Sequence, residues 1–289
     1  MTRVNFLNLF WFFSLIILMG HSPPQTNQLK GDTWAEVQQK KTGTITVAYI
    51  NAPGLTFRNT QGHLDGVCFD IVKSFIDYVK NTKGIVLKAQ VMPESLFSQF
   101  MEGIRTGQGG VFGLGNITIT NERKLSYGFT PPFINNLSFI ITHQTVPTLT
   151  NLSSIGTQFK GMTAYTVKGT TNEKIILEIK QKYMPTLSIV YLPSSGAALS
   201  KVAGDNRSFT SLDFNYYAEA LKYNAPVKRH SAGDRKEEDF GIIMPKSTDW
   251  IPIWNEFFAS NRFVKSPEYR KILLKHLGPS AVRALEQYR

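Results

Sequence analysis

Apolar and polar positions along the chain fall into two long runs of alternating strand-like and helix-like segments. In the first run, "GTITVAYINAPG" reads as a strand ending in a Pro/Gly loop. "GVCFDIVKSFIDYVKNT" then places Val67, Ile71, Phe75 and Val79 at a four-residue interval, the spacing of one helix face. "GIVLKAQVM" predicts a strand, and "ESLFSQFMEGIRTG" a helix closed by Gly107. "GVFGLGNITIT" and "FINNLSFIITH" predict two more strands.

The second run opens with "FKGMTAYTVKGTTNEKIILEIKQKY", read as strand, loop and helix. The strand "LSIVYLP", the short helix "SGAALSKVAGD" and the strand-into-helix "SFTSLDFNYYAEALKYN" follow. "DFGIIMPKST" predicts a strand, and "WIPIWNEFFASN" and "SPEYRKILLKHLG" predict closing helices. Strands alternating with helices predict parallel sheets flanked by helices. Two such runs predict an α/β protein of two Rossmann-like lobes. Open α/β sheets bind ligands at the carboxyl ends of their strands, so residues just after strands are the ones to inspect.

The N-terminus departs from this pattern. Arg3 precedes an apolar run from Phe6 to Met19, shorter than the roughly 20 residues that span a membrane. It predicts a signal peptide or N-terminal anchor over residues 1–22 and hence export to the periplasm or another extracytoplasmic space. Gly20 and Ser22 are small, as a cleavage site requires, but Pro23 and Pro24 follow them, which leaves an uncleaved anchor open. The stretch 23–42 reads as a polar linker and first helix.

Charge and rare residues narrow the chemistry. The formal charge is +11, but Lys and Arg are scattered, and the densest cluster, "VKRHSAGDRKEED", is interrupted by acids. That argues against nucleic acid as a partner. The single cysteine, Cys68, excludes an intrachain disulfide and reads as a small buried residue. Five scattered histidines, with no CxxC or HExxH, give no metal motif; no metal and no cofactor is expected. "GQGGVFGLG" is not a nucleotide loop, because Phe112 stands where a third glycine belongs and no terminal Gly-Lys-Ser/Thr follows.

Three segments after predicted strands offer binding chemistry. In "NITITNER", alternation puts Ile117 and Ile119 on one side and the hydroxyls of Thr118 and Thr120 on the other. Arg123 adds a planar fork suited to a carboxylate. Helix capping by Thr120 beside a solvated Arg123 explains the same letters. In "VKGTTNEK", Gly169 permits a tight turn, and Thr170 and Thr171 precede a helix whose N-terminus suits an anion or is simply capped. In "SLDFNYY", Asp213 is either a helix cap or a carboxylate offered to a ligand ammonium.

Taken together, "GVCFDIV", "NITITNERKLSYGFTPPF", "KGTTNE", "SLDFNYY" and "DFGIIMPKSTDWIPIWNEFF" resemble the extracytoplasmic solute-binding proteins of polar amino-acid type (family 3), the group containing the glutamine- and histidine-binding proteins of ABC importers. The resemblance covers nearly the whole mature chain. It implies a type II periplasmic binding protein fold, with residues 43–135 and 239–289 forming lobe 1 and residues 136–238 lobe 2. Two crossover strands near Phe133–Ser138 and Glu237–Gly241 would join them. It further implies that Arg123 grips a ligand α-carboxylate with help from Thr118, that Asn116 takes the ammonium through its backbone, that Gly169, Thr170 and Thr171 meet the carboxylate, and that Asp213 pairs with the ammonium. Where the family stacks an aromatic on the ligand, this chain has Ala52 or Pro53, so Tyr49 or Phe57 is expected to substitute. Gly66 is followed by Val67, Cys68, Phe69 and Asp70, so the first acid of the usual Gly-x-Asp-x-Asp is absent. The implied protein is a monomer that hands an amino acid or related small carboxylate to an ABC permease. Two alternatives share the scaffold: a sensory or accessory ligand-binding module, and a cyclohexadienyl-dehydratase-like enzyme using Glu94 or Asp213 as general acid.

Overall fold

The first apolar run condenses into a five-stranded sheet. In the computed structural model, which describes residues 28–236 and 239–287, helix α1 (Trp34–Lys40) leads into β1 (Thr42–Tyr49). A two-stranded hairpin, β2 (Phe57–Arg58) and β3 (Leu64–Asp65), follows, then α2 (Val67–Lys83), β4 (Val86–Pro93), α3 (Phe97–Thr106), β5 (Val111–Leu114), α4 (Asn121–Ser126) and β6 (Tyr127–Phe129). The second sheet takes β7 (Leu137–His143), then α5 (Ile155–Gln158), β8 (Thr163–Thr166), α6 (Thr171–Tyr183), β9 (Ser188–Tyr191), α7 (Ser195–Ala203), β10 (Ser208–Asp213), α8 (Phe214–Lys222) and β11 (Val227–Lys236). The chain then returns to the first sheet with β12 (Ile243–Pro245) and ends in α9 (Ile251–Ala259) and α10 (Pro267–Gln287). The predicted signal peptide or anchor lies outside the described residues.

The strand orders are β4-β1-β5-β12-β6 and β11-β7-β10-β8-β9. Within each sheet, the strands joined through helices run parallel (β4, β1, β5 and β10, β8, β9), while β12 and β7 run antiparallel to their neighbours. The sheets are therefore mixed rather than purely parallel. Antiparallel strands enter where the chain crosses between lobes and needs no helical crossover to turn.

Packing explains why the four-residue spacing in α2 was informative. Val67, Ile71, Phe75 and Val79 are all fully buried. Phe75 stacks on Trp254 at 3.7 Å and meets Phe112, Trp250 and Phe257 edge-on, which ties α2, β5 and α9 into one aromatic core. Gly66, just before α2, has φ 118°, and a Cβ there would lie 2.4 Å from the Leu55 carbonyl oxygen. Only glycine fits. Asp70, one turn on, accepts from Lys275 at 2.8 Å and His276 at 2.6 Å, tying α2 to α10.

The segment read as polar linker and first helix is docked on the first sheet from Leu29 onward. Leu29 is buried, Lys30 bridges Gln108, and the Trp34 and Ala35 amides donate to Asp249. Two other expectations shift. Strand β5 stops at Leu114, so Asn116–Thr120 is not its continuation; the segment is held by an isolated bridge from Thr118 to Phe240. The acid-interrupted basic cluster contains the edge strand β11, whose register shift between His230 and Arg235 breaks its period.

Candidate functional site

The two crossover segments and the arginine motif form one small platform. The Ile119 amide donates to the Asp239 carbonyl at 2.8 Å, and the Gly241 amide to the Ile117 carbonyl at 3.1 Å. On its other side Phe240 exchanges hydrogen bonds with the first crossover, donating to Ile134 and accepting from Phe133. The motif is thus clamped to the hinge itself. Beyond it Thr120 caps α4, its hydroxyl accepting from the Arg123 amide at 3.0 Å. Capping and ligand geometry are not rivals here, because the cap aims the Arg123 side chain at the interlobe gap. Arg123 donates to the Thr118 carbonyl at 2.9 Å and, across the gap, to the Gly169 carbonyl at 3.3 Å, with its guanidinium over the Phe97 ring.

The facing lobe is organised by α6 and β10. Gly169 has φ 80°, a conformation that favours glycine. Its amide donates to the Glu173 carboxylate at 2.6 Å, and Thr170 caps α6 by accepting from the Glu173 amide at 3.1 Å. Thr171 then faces Thr118 across the gap, hydroxyl to hydroxyl at 3.4 Å.

Asp213 ends β10, a strand buried along its whole length, and stands at the N-cap position of α8, yet its side chain makes no cap hydrogen bond. Its carboxylate instead accepts from the side-chain amides of Asn116 at 2.5 Å, Asn136 at 3.1 Å and Asn172 at 3.1 Å, and from Ser138 at 3.4 Å. Asn172 is fixed in turn by Ser211 at 2.8 Å. Asp213 is only 2% exposed. Burial pushes its carboxyl above the usual aspartate range, while the four donors pull the other way. Neutral donors compensate the charge only in part, and no cation stands among them.

These groups surround a cavity of about 330 Å³ between the lobes. Of the residues singled out from sequence, Asn116, Thr118, Arg123, Thr170, Thr171 and Asp213 line it. Gly169 borders it only through its carbonyl contact with Arg123. Tyr49 and Phe57 do not line it. Tyr49 is buried in the lobe-1 core, and Phe57 packs edge-on against His276. The hairpin β2–β3 turns this stretch away from the cleft, and the aromatic walls are Phe97 and Tyr216 instead. The Asn116 side-chain amide reaches across the gap to Asp213.

Asn136, Ser138, Asn172 and Glu219 were missed in the sequence. For Asn136 and Ser138 the available signal was small polar residues leading into an apolar strand, as in "NNLSFII". Elsewhere, Asp65, Asp70 and His276 bring ligand-type atoms within 4.8 Å of one another. Lys73 and Lys275 already neutralise Asp70, at 2.5 Å and 2.8 Å, so this cluster is an ion-pair network binding α2 to α10.

No protein-family model and no curated protein sequence matches the chain. Solved structures do. An ancestral arginine-binding protein bound to arginine superposes with TM-score 0.67 at 20% identity, covering 81% of this chain and 98% of its own. The arginine-, lysine-, histidine-binding protein ArtJ from Geobacillus stearothermophilus gives 0.66 at 18% identity, covering 82% and 96%. An ancestral amino acid-binding protein, a precursor of cyclohexadienyl dehydratase, gives 0.67 at 17% identity, covering 84% and 98%. The chain has the two-lobed type II periplasmic binding protein fold.

Proposed function

We propose that the protein is an extracytoplasmic binding protein that captures an amino acid or related small carboxylate in the interlobe cavity and closes on it, ahead of an ABC importer. One observation carries this reading. A guanidinium from one lobe, Arg123, and a carboxylate from the other, Asp213, face the same cavity. A zwitterion spanning that gap supplies the anion that suits Arg123 and the cation that Asp213 lacks. Because the partners sit on opposite lobes, a ligand held by both favours the closed arrangement, and differential affinity for that state is what drives closure. The neighbours of the same fold are amino-acid-binding proteins, which supports the ligand class. Among the described residues no helix is long and apolar enough to cross a membrane; export rests on the N-terminal sequence alone.

A thermal-shift screen against amino acids and small carboxylates tests this, since a ligand that binds only the folded form raises its melting temperature. Amino acids are expected to raise it. A flat response across the whole set contradicts the proposal.

An enzymatic reading has one specific observation in its favour. A buried carboxyl whose proton is held above the usual range, as at Asp213, is what a general acid requires. The donors around Asp213, three amides and the Ser138 hydroxyl, all turn toward its carboxylate and hold it in place, which favours binding as the better account. Turnover of a prephenate-like cyclic carboxylate would reverse that order. A sensory role uses the same cavity, and adjacent permease and ATPase genes would favour import over it.

A further inference from the structure

The protein as a whole is strongly basic, with a formal charge of +11, yet the described residues lining the cavity carry three carboxylates, Glu94, Asp213 and Glu219, against the single guanidinium of Arg123. The acidity of the cavity is therefore local, not a reflection of composition. The two glutamates come from opposite lobes. Glu94 directly follows β4, with its amide anchored on the Tyr49 carbonyl at 2.9 Å. Glu219 lies on α8, one turn beyond Tyr216, whose hydroxyl donates across the gap to the Asn51 carbonyl. Both are half-buried, and neither side chain has a hydrogen-bond partner among the described residues.

An α-amino acid with a neutral side chain would match Arg123 with its carboxylate and Asp213 with its ammonium. Both glutamates would then be enclosed with no counter-charge, which is costly for a carboxylate removed from water. Burial already pushes the Glu219 carboxyl up, and only Lys222, on its own helix, works against that. Ile50, Phe97 and Val167 supply apolar wall to the same cavity, suited to a methylene chain between two polar ends.

We infer that the ligand is an amino acid with a second, distal positive charge, and that Glu94 and Glu219 close on that charge from the two lobes. This inference rests on the binding function proposed above. Charge complementarity then sets specificity, by rejecting uncharged side chains as much as by attracting charged ones. Glu94 and Glu219 would thus be specificity residues, distinct from the Arg123–Asp213 pair that reads the amino-acid backbone.

The test is calorimetry on the full-length protein with L-arginine, L-lysine, L-citrulline and L-glutamine. Citrulline keeps the length and planar end of arginine but has lost its charge. Arginine or lysine should bind about 30-fold or more tighter than citrulline, the loss expected when a partner of an enclosed charge is removed. Glu94→Gln and Glu219→Gln should weaken arginine and tighten citrulline, because the enclosed uncompensated charge is gone, so that the gap narrows from both sides. If either variant fails to fold, the wild-type comparison of arginine with citrulline decides alone. Citrulline or glutamine binding as tightly as arginine, with Arg123→Ala abolishing both, would overturn the distal-charge inference and leave the binding function standing. Absence of binding by all four amino acids would overturn the inference, and a flat response in the wider thermal-shift screen as well would overturn the function with it.

Discussion

Asp213 and Arg123 solve opposite problems with similar means. Arg123 is held by two carbonyls and an aromatic face, which fix its guanidinium at the edge of the cavity. Asp213 is held by amide and hydroxyl donors that keep a carboxylate tolerable in a buried place without neutralising it. Its pH behaviour follows. Burial raises its pKa, so acid favours the neutral form, whereas a ligand ammonium favours the ionised form. Affinity should therefore fall as pH drops through that raised value, with proton release on binding in the same range. Titrations from neutral pH down towards the ordinary aspartate range check this, and Asp213→Asn should both weaken binding and flatten the dependence. Arg123, Thr118 and Asp213 were legible because short polar motifs after apolar strands stand out. Glu219 was not, because a glutamate on an amphipathic helix reads as solvated until α8 is seen to wall the cavity.

Among the elements, α6 and β11 show how local chemistry fixes the lobe-2 wall. Thr170 supplies the cap of α6 and Thr171 the cavity hydroxyl, so the start of this helix sets the position of both. Thr170→Ala should cost about 1 kcal/mol of stability, measured by denaturant unfolding. Strand β11 carries His230, fully buried, whose ring accepts from the Leu149 amide at 2.9 Å and meets the Thr142 hydroxyl at 2.7 Å. Burial lowers its pKa to about 4. The folded protein holds it neutral while the unfolded chain protonates it from its ordinary value of 6.5 downward. Its contribution to stability is thus present above pH 6.5 and lost as pH falls from there towards 4. Melting temperature followed across that window should decline, and less steeply in His230→Gln. The helix α2 was readable because four apolar residues share one face. Strand β11 and the β2–β3 hairpin were not: one is broken by a register shift between His230 and Arg235, and the other has two residues per strand.

At the scale of the whole molecule, the arginine motif and the second crossover are hydrogen-bonded to each other, which ties Arg123 to the connection between the lobes. Contacts between the lobes include Asn116 with Asp213, Arg123 with Gly169, and Asn215 with the Pro53 carbonyl at 3.1 Å. The Lys174–Glu122 ion pair also spans the gap, but both side chains are more than half exposed, and surface pairs of this kind contribute little. Two-lobed architecture was legible from the two runs of alternating elements. The mixed sheets and the docking of residues 29–41 were not, because they depend on pairings between distant segments that no local period encodes.

The central claim is that one ligand is gripped by both lobes, with its carboxylate on Arg123. The direct measurement is the calorimetric affinity of a bound L-α-amino acid and of its decarboxylated amine for wild type and for Arg123→Ala. Wild type should prefer the amino acid, and Arg123→Ala should lose about 2–5 kcal/mol on the amino acid but little on the amine. Undiminished affinity of Arg123→Ala for the amino acid would contradict the account.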